Sequence, residues 1–243
     1  MKLLIIILSL VVGNAFAQTI PDYAKESRWA DFIEDGLMDG DVVWIKNDDR
    51  EFLSILTESE SDSNKVAIVM HGIGVHPDWT GVIQPLRLSL TEQGYHTLSI
   101  QLPVLANEAE GSEYVELYGD SDKRIQASVD YVKDMGKKAD LLVAHSMGTT
   151  MAAHYLSNNF DHSFKRFVAV GMNGRSAPYL PNINIPTLDL YGTEDIEPVL
   201  TTAKQRKNAS SHNFGYMQKQ IQGDHFFNDQ NELLIQEIGD WLK

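Results

Sequence analysis

A hydroxyl nucleophile, a carboxylate and an imidazole base can together cleave an acyl bond, and this chain presents candidates in that order as Ser146, Asp195 and His225. Ser146 lies in Ala144-His145-Ser146-Met147-Gly148, between an apolar run and a helical pattern. A small-x-Ser-x-Gly turn at such a junction lifts the hydroxyl above the edge of a sheet, and its sharpness demands small neighbours. A serine hydroxyl is a poor nucleophile at neutral pH unless a base takes its proton, and that base needs a carboxylate to hold its tautomer.

Both partners are expected downstream. Leu188-Asp189-Leu190-Tyr191-Gly192-Thr193-Glu194-Asp195 ends an apolar strand in a glycine turn and then presents acids. Asp195 is the expected acid and Glu194 the alternate. Asp189 falls inside the strand pattern, where a buried carboxylate would need a partner. Ile221-Gln222-Gly223-Asp224-His225-Phe226-Phe227 offers His225 in a glycine loop after a strand, whereas His212, also downstream of the acid, sits in a polar run.

Acyl transfer also needs donors for a developing oxyanion. The N–H of Met147 follows the nucleophile, and the loop Met70-His71-Gly72-Ile73-Gly74-Val75-His76-Pro77-Asp78-Trp79 offers Ile73, with Gly74 as fallback. A plain turn or a phosphate loop would use similar glycines, but the repeat of a Gly-x-Gly-x-x-Gly nucleotide site breaks at Pro77. Trp79, Leu102, Met172, Phe226 and Phe227 suggest an apolar acyl pocket, although such residues also suit a core. His71 and His76 are five apart, no His-Glu-x-x-His occurs and there is no cysteine, so neither a metal nor another cofactor is expected.

The elements that must position these groups follow from hydrophobic periodicity. A polar, helix-prone stretch from Pro21 to Phe32 precedes two alternating runs, Asp41 to Lys46 and Glu51 to Leu56, which predict an antiparallel hairpin. Short apolar strands starting at Lys65, Thr97, Leu141, Phe167 and Thr187, with Tyr216 to Ile221 last, then alternate with helical patterns. These helices are Thr80 to Gln93, Lys123 to Met135, Met147 to Ser157, Pro198 to Arg206 and Asn228 to Trp241. The alternation predicts an α/β fold: a mostly parallel sheet with helices on both faces. Only Asn173 to Pro186 lies between two late strands, too little for a large helical lid, so the site is expected to be open.

Met1-Lys2, an apolar run from Leu3 to Val12 and Ala15-Phe16-Ala17 have the layout of a cleavable signal peptide, cut after Ala17. Residues 18–243 then form one domain, exported and without stable membrane insertion, in the periplasm or outside the cell. Absence of cysteine leaves stability to the core rather than to disulfides. Lys and Arg total 20 against 34 Asp and Glu, a net charge of −14, which disfavours nucleic acid as a partner.

From about Val42 to Lys243 the chain resembles the alpha/beta-hydrolase superfamily, at His71-Gly72, the turn around Ser146, Gly192 to Asp195, and Gly223 to His225. The order serine, acid, histidine is the order on that fold. His76-Pro77-Asp78-Trp79, Gln101-Leu102-Pro103 and the signal layout further resemble a largely uncharacterised family of exported bacterial hydrolase-like proteins. Two departures stand out: Ala144 replaces the usual first glycine of the turn, and Gln101-Leu102-Pro103 stands where many members carry an Asp-x-x-Gly-x-Gly loop. The expected activity is serine-dependent hydrolysis of a small carboxylic ester or thioester through an acyl-enzyme. A peptidase or amidase with the same triad, and a non-catalytic envelope binding protein on the same fold, stay open.

Overall fold

The computed structural model describes residues 19–48 and 50–243; the expected leader and its cleavage point lie outside them. Helix α1 (Tyr23–Gly36) leads into β1 (Asp41–Asn47) and β2 (Arg50–Thr57), followed by β3 (Lys65–Met70), α2 (Ile83–Glu92) and β4 (His96–Ile100). Then come α3 (Tyr118–Asp134), β5 (Lys138–His145), α4 (Met147–Asn158), β6 (Arg166–Val170) and β7 (Thr187–Glu194). Short helices α5 (Glu197–Leu200) and α6 (Ala203–Ala209) precede β8 (Tyr216–Asp224) and α7 (Asn231–Leu242).

The strands form one eight-stranded sheet in the order β1-β2-β4-β3-β5-β6-β7-β8. β1 and β2 pair as the expected antiparallel hairpin, β2 also runs antiparallel to β4, and every pairing from β4 through β8 is parallel. The central strands are apolar on both sides because both faces are covered. Along β3, Val66, Ile68 and Met70 enter the core under α3 and α4, while Ala67 and Val69 enter the one under α2 and α7. β5 divides the same way, with Leu142 and Ala144 on one side and Leu141 and Val143 on the other. Helix α1, capped by the Asp22 carboxylate on the Lys25 N–H at 2.9 Å, buries Ala30 and Ile33 against Leu53 and Ile55 of β2. No helix among the described residues is long and apolar enough to cross a membrane.

Several boundaries differ from the sequence expectation for local reasons. α2 begins at Ile83 rather than Thr80, which puts Pro85 in the first turn, where a missing N–H costs nothing. α3 begins at Tyr118 rather than Lys123; Tyr114, Leu117 and Tyr118 are buried, and this tertiary burial overrides a polar local pattern. The helix expected over Pro198 to Arg206 is two helices. Thr201 and Thr202 break it, their hydroxyls bonding back to the carbonyls of Glu197 at 2.7 Å and Pro198 at 2.5 Å. The segment from Asn173 to Pro186 contains two 3-10 turns, Gly174–Ser176 and Leu180–Asn182.

β7 and β8 both run further than expected, to Glu194 and Asp224, which are paired with each other. Asp195 and His225 are the next residue on each strand. The extension therefore delivers acid and base side by side at the carboxyl edge of the sheet.

Candidate active site

Ser146 sits between the last residue of β5 and the first of α4, with φ 54° and ψ −122°, a backbone conformation that L-residues rarely adopt. Its N–H donates to the Val170 carbonyl at 2.9 Å, which anchors the turn to the neighbouring strand. Two glycines permit the packing. A Cβ on Gly148 would lie 2.5 Å from the His71 carbonyl oxygen, and one on Gly72 would lie 2.8 Å from the Ser146 Cβ. Ala144, the departure from the usual motif, is buried in the core with no glycine required there.

The three sequence candidates meet. The His225 Nε2 is 2.9 Å from the Ser146 Oγ, and its Nδ1 is 2.6 Å from the Asp195 Oδ1. A carboxylate oxygen only accepts, so Nδ1 carries the proton and Nε2 is left to accept from the hydroxyl. Asp195 is itself held: its Oδ1 accepts the Ile196 N–H at 2.8 Å and its Oδ2 the Gly192 N–H at 3.2 Å. Glu194 is exposed and makes no part of this chain of contacts. Asp189 is buried and paired, receiving Arg206 Nε at 2.8 Å, Tyr216 Oη at 2.5 Å and Gln218 Nε2 at 2.9 Å. This network pins α6 to β7 and β8.

Ile73 and Met147 border one narrow crevice with His71, Gly72, Leu102, Pro103, Val104, Tyr114 and Met151. The crevice is narrow, about 160 Å³ including the solvent space at its mouth. Among the described residues, neither the Ile73 N–H nor the Met147 N–H has a hydrogen-bond acceptor. Of the residues expected to form an acyl pocket, only Leu102 lines this crevice. Met172 is fully buried in the core under α3 and α4, and Phe227 in the core on the opposite face. Trp79 packs against that second core and edge-on to His76, with ring centroids 5.7 Å apart. Phe226 packs against the rings of His145 and His225 instead. These different placements share one cause: a local apolar run cannot say which face of a loop turns inward.

The family description "protein of unknown function (DUF3530)" matches residues 14–116 and 112–243. The chain belongs to the DUF3530 family. No curated protein matches its sequence. Solved structures similar to this DUF3530 chain include Est1E from Butyrivibrio proteoclasticus, at 15% identity and TM-score 0.66 over 84% of this chain and 97% of that one. An esterase of Pyrococcus furiosus is 17% identical with TM-score 0.68, over 86% of this chain and 94% of its own. A dienelactone hydrolase from Anabaena variabilis is 18% identical with TM-score 0.67, over 83% and 95%. At such identities the likeness establishes the fold, which is that of the alpha/beta hydrolases.

The motifs of the DUF3530 chain did not single out His145 as a site residue, although it touches His225. Its Nε2 donates to the His225 carbonyl at 2.9 Å and its ring lies 4.9 Å from the His225 ring. The variable position of the serine turn gives no local signal for this contact, which spans 80 residues of sequence. Burial, with a smaller effect from His225, pushes the His145 imidazole down to about 4. Burial also pushes His71 down to about 3, with His76, Arg124 and His145 adding to the effect.

Both histidines ordinarily titrate near 6.5, so both fold in the neutral form. Their stabilising effect is complete above pH 6.5 and is lost as the pH falls toward about 4 for His145 and about 3 for His71, because the unfolded chain binds the protons first. Urea unfolding between pH 7 and pH 4 should show stability falling with a slope from these two groups approaching about 2.7 kcal/mol per pH unit. An imidazole NMR signal of either His71 or His145 that titrates near 6.5 in the folded chain would contradict this assignment.

Proposed function

We propose that this DUF3530 chain is an exported serine hydrolase of carboxylic esters or thioesters. The observation that carries the reading is the continuous hydrogen-bonded line from the Ser146 Oγ through the His225 ring to the Asp195 carboxylate. The described esterase and dienelactone hydrolase neighbours support it through their fold, and the N-terminal leader pattern supports export.

In the proposed reaction the Ser146 Oγ attacks the substrate acyl carbon while His225 Nε2 takes the hydroxyl proton. Asp195 keeps the Nδ1–H in place and balances the imidazolium that forms. The carbonyl π electrons move to oxygen, and the N–H groups of Ile73 and Met147 hold that oxyanion. As the intermediate collapses, the C–O or C–S bond breaks and the leaving group takes the proton from His225. Water then repeats the sequence on the acyl-enzyme, releasing the acid and free Ser146. Leu102, Val104 and Met151 beside the Ile73 and Met147 N–H groups give the crevice an apolar wall, which suits an uncharged substrate lying against it.

Intact-mass analysis after treatment with a fluorophosphonate tests the reading. The wild type should gain one phosphonyl adduct, and Ser146→Ala should gain none. A folded wild type that takes no adduct would reject the hydrolase reading and favour a binding role on the same fold.

A further inference from the structure

Below the crevice, a line of buried polar groups joins helix α1 to the loop that carries Ile73. It starts at Glu26 on α1, whose two carboxylate oxygens accept from Arg124 Nη2 of α3 at 3.1 and 3.0 Å. Both side chains are almost fully enclosed, at 10% and 6% exposure. The Arg124 Nη1 donates to the Gln101 carbonyl at 3.0 Å. The Gln101 side-chain nitrogen donates to the Leu102 carbonyl at 2.7 Å and to the His71 Nε2 at 3.1 Å, and the Leu102 N–H donates to the same Nε2 at 3.0 Å. His71 thus accepts twice at Nε2, and its proton lies on Nδ1, which donates to the Gly72 carbonyl at 2.8 Å.

That last bond fixes more than a carbonyl. The Gly72–Ile73 peptide is trans and planar, so its N–H points away from its C=O. Holding the Gly72 carbonyl to His71 determines where the Ile73 N–H points. Glycine at position 72 would otherwise leave this peptide free to rotate, since it lacks the Cβ that restricts other residues. Helix α1 is tied to the same region a second time. Its Lys25 ammonium donates to the Leu105 carbonyl at 3.1 Å, the Asp22 N–H donates to the Val104 carbonyl at 2.7 Å, and Trp29 meets the His71 ring edge-on at 6.2 Å.

We infer that Glu26, Arg124, Gln101 and His71 form a relay of positioning residues that aims the Ile73 N–H at the oxyanion, which makes helix α1 a working part of the site. The inference rests on the hydrolase reading above. None of the four touches the reacting atoms. They act through one peptide group.

Steady-state hydrolysis of p-nitrophenyl acetate by His71→Leu, His71→Asn, Glu26→Gln and Arg124→Met tests it, with thermal melts to establish folding. Asparagine can place its amide N–H near the imidazole Nδ1 and leucine cannot. His71→Leu should lower kcat by about 10²- to 10³-fold, the cost of losing one oxyanion donor, with KM nearly unchanged. His71→Asn should recover a large part of that loss, and Glu26→Gln and Arg124→Met should lower kcat in the same direction. A folded His71→Leu with wild-type kcat, a loss confined to KM, or a loss that asparagine does not recover would each overturn the relay while leaving the hydrolase reading intact. Should His71→Leu not fold, a wild-type kcat in both Glu26→Gln and Arg124→Met would overturn it. A wild type that neither takes the phosphonate adduct nor turns over ester overturns both.

Discussion

Ser146→Ala should lower kcat on a p-nitrophenyl ester by about 10⁴-fold or more, His225→Ala should do nearly the same, and the double variant should be little worse than either. The non-additivity follows from the geometry. Among the described residues the His225 Nε2 has one partner, the Ser146 hydroxyl at 2.9 Å, so each group is ineffective without the other. What survives in both variants is the share supplied by the proposed oxyanion donors, the Ile73 and Met147 N–H groups. Steady-state kinetics on the three purified variants decides the matter. Strict multiplicativity of the two losses, or more than a hundredth of wild-type kcat left in Ser146→Ala, would mean that these groups do not act as one nucleophile and base.

The largest effect on stability is expected away from the site, in Arg206→Met. Arg206 and Asp189 are both fully buried, and Asp189 also receives Tyr216 and Gln218. Removing the guanidinium deprives this carboxylate of the one cationic partner it has among the described residues and costs about 3–5 kcal/mol. Arg206 also donates to the Val199 carbonyl and the Thr202 hydroxyl, so its loss loosens α5 and α6 together. For a chain of this size the change corresponds to a melting temperature lower by about 6–20 °C. Replacing both partners, as in Arg206→Met with Asp189→Leu, should be less damaging than Arg206→Met alone, because no charge is then left buried. Calorimetry on the single and double variants provides the check, and a double variant much less stable than Arg206→Met would refute the argument.

Most of the architecture could be read from periodicity, since the central strands are covered on both faces and so appear as unbroken apolar runs. Val66 to Met70 and Leu141 to Ala144 carry that signal without ambiguity. Helix boundaries were less legible wherever burial by distant residues outweighed the local pattern, as at Tyr118, or wherever threonine hydroxyls competed for the backbone, as at Thr201 and Thr202. Of the apolar residues expected to line an acyl pocket, Met172 and Phe227 are taken into the two cores while Phe226 packs beside the His225 ring, for a related reason. Hydrophobicity states that a side chain leaves water, but not which cavity or core receives it.

The site divides along the same line. By itself the sequence singled out Ser146 and His225 and narrowed the acid to Asp195 or its neighbour Glu194, because each candidate stands in a turn whose glycine and flanking strand are local features. Only the tertiary structure decided that Glu194 pairs with Asp224, so that Asp195 rather than Glu194 meets His225. It also decided that His145 and His71 are buried and that Asp189 is matched by Arg206. These are long-range pairings, set by strand register and by the need to satisfy every buried polar group, and neither constraint is written in any short stretch of residues.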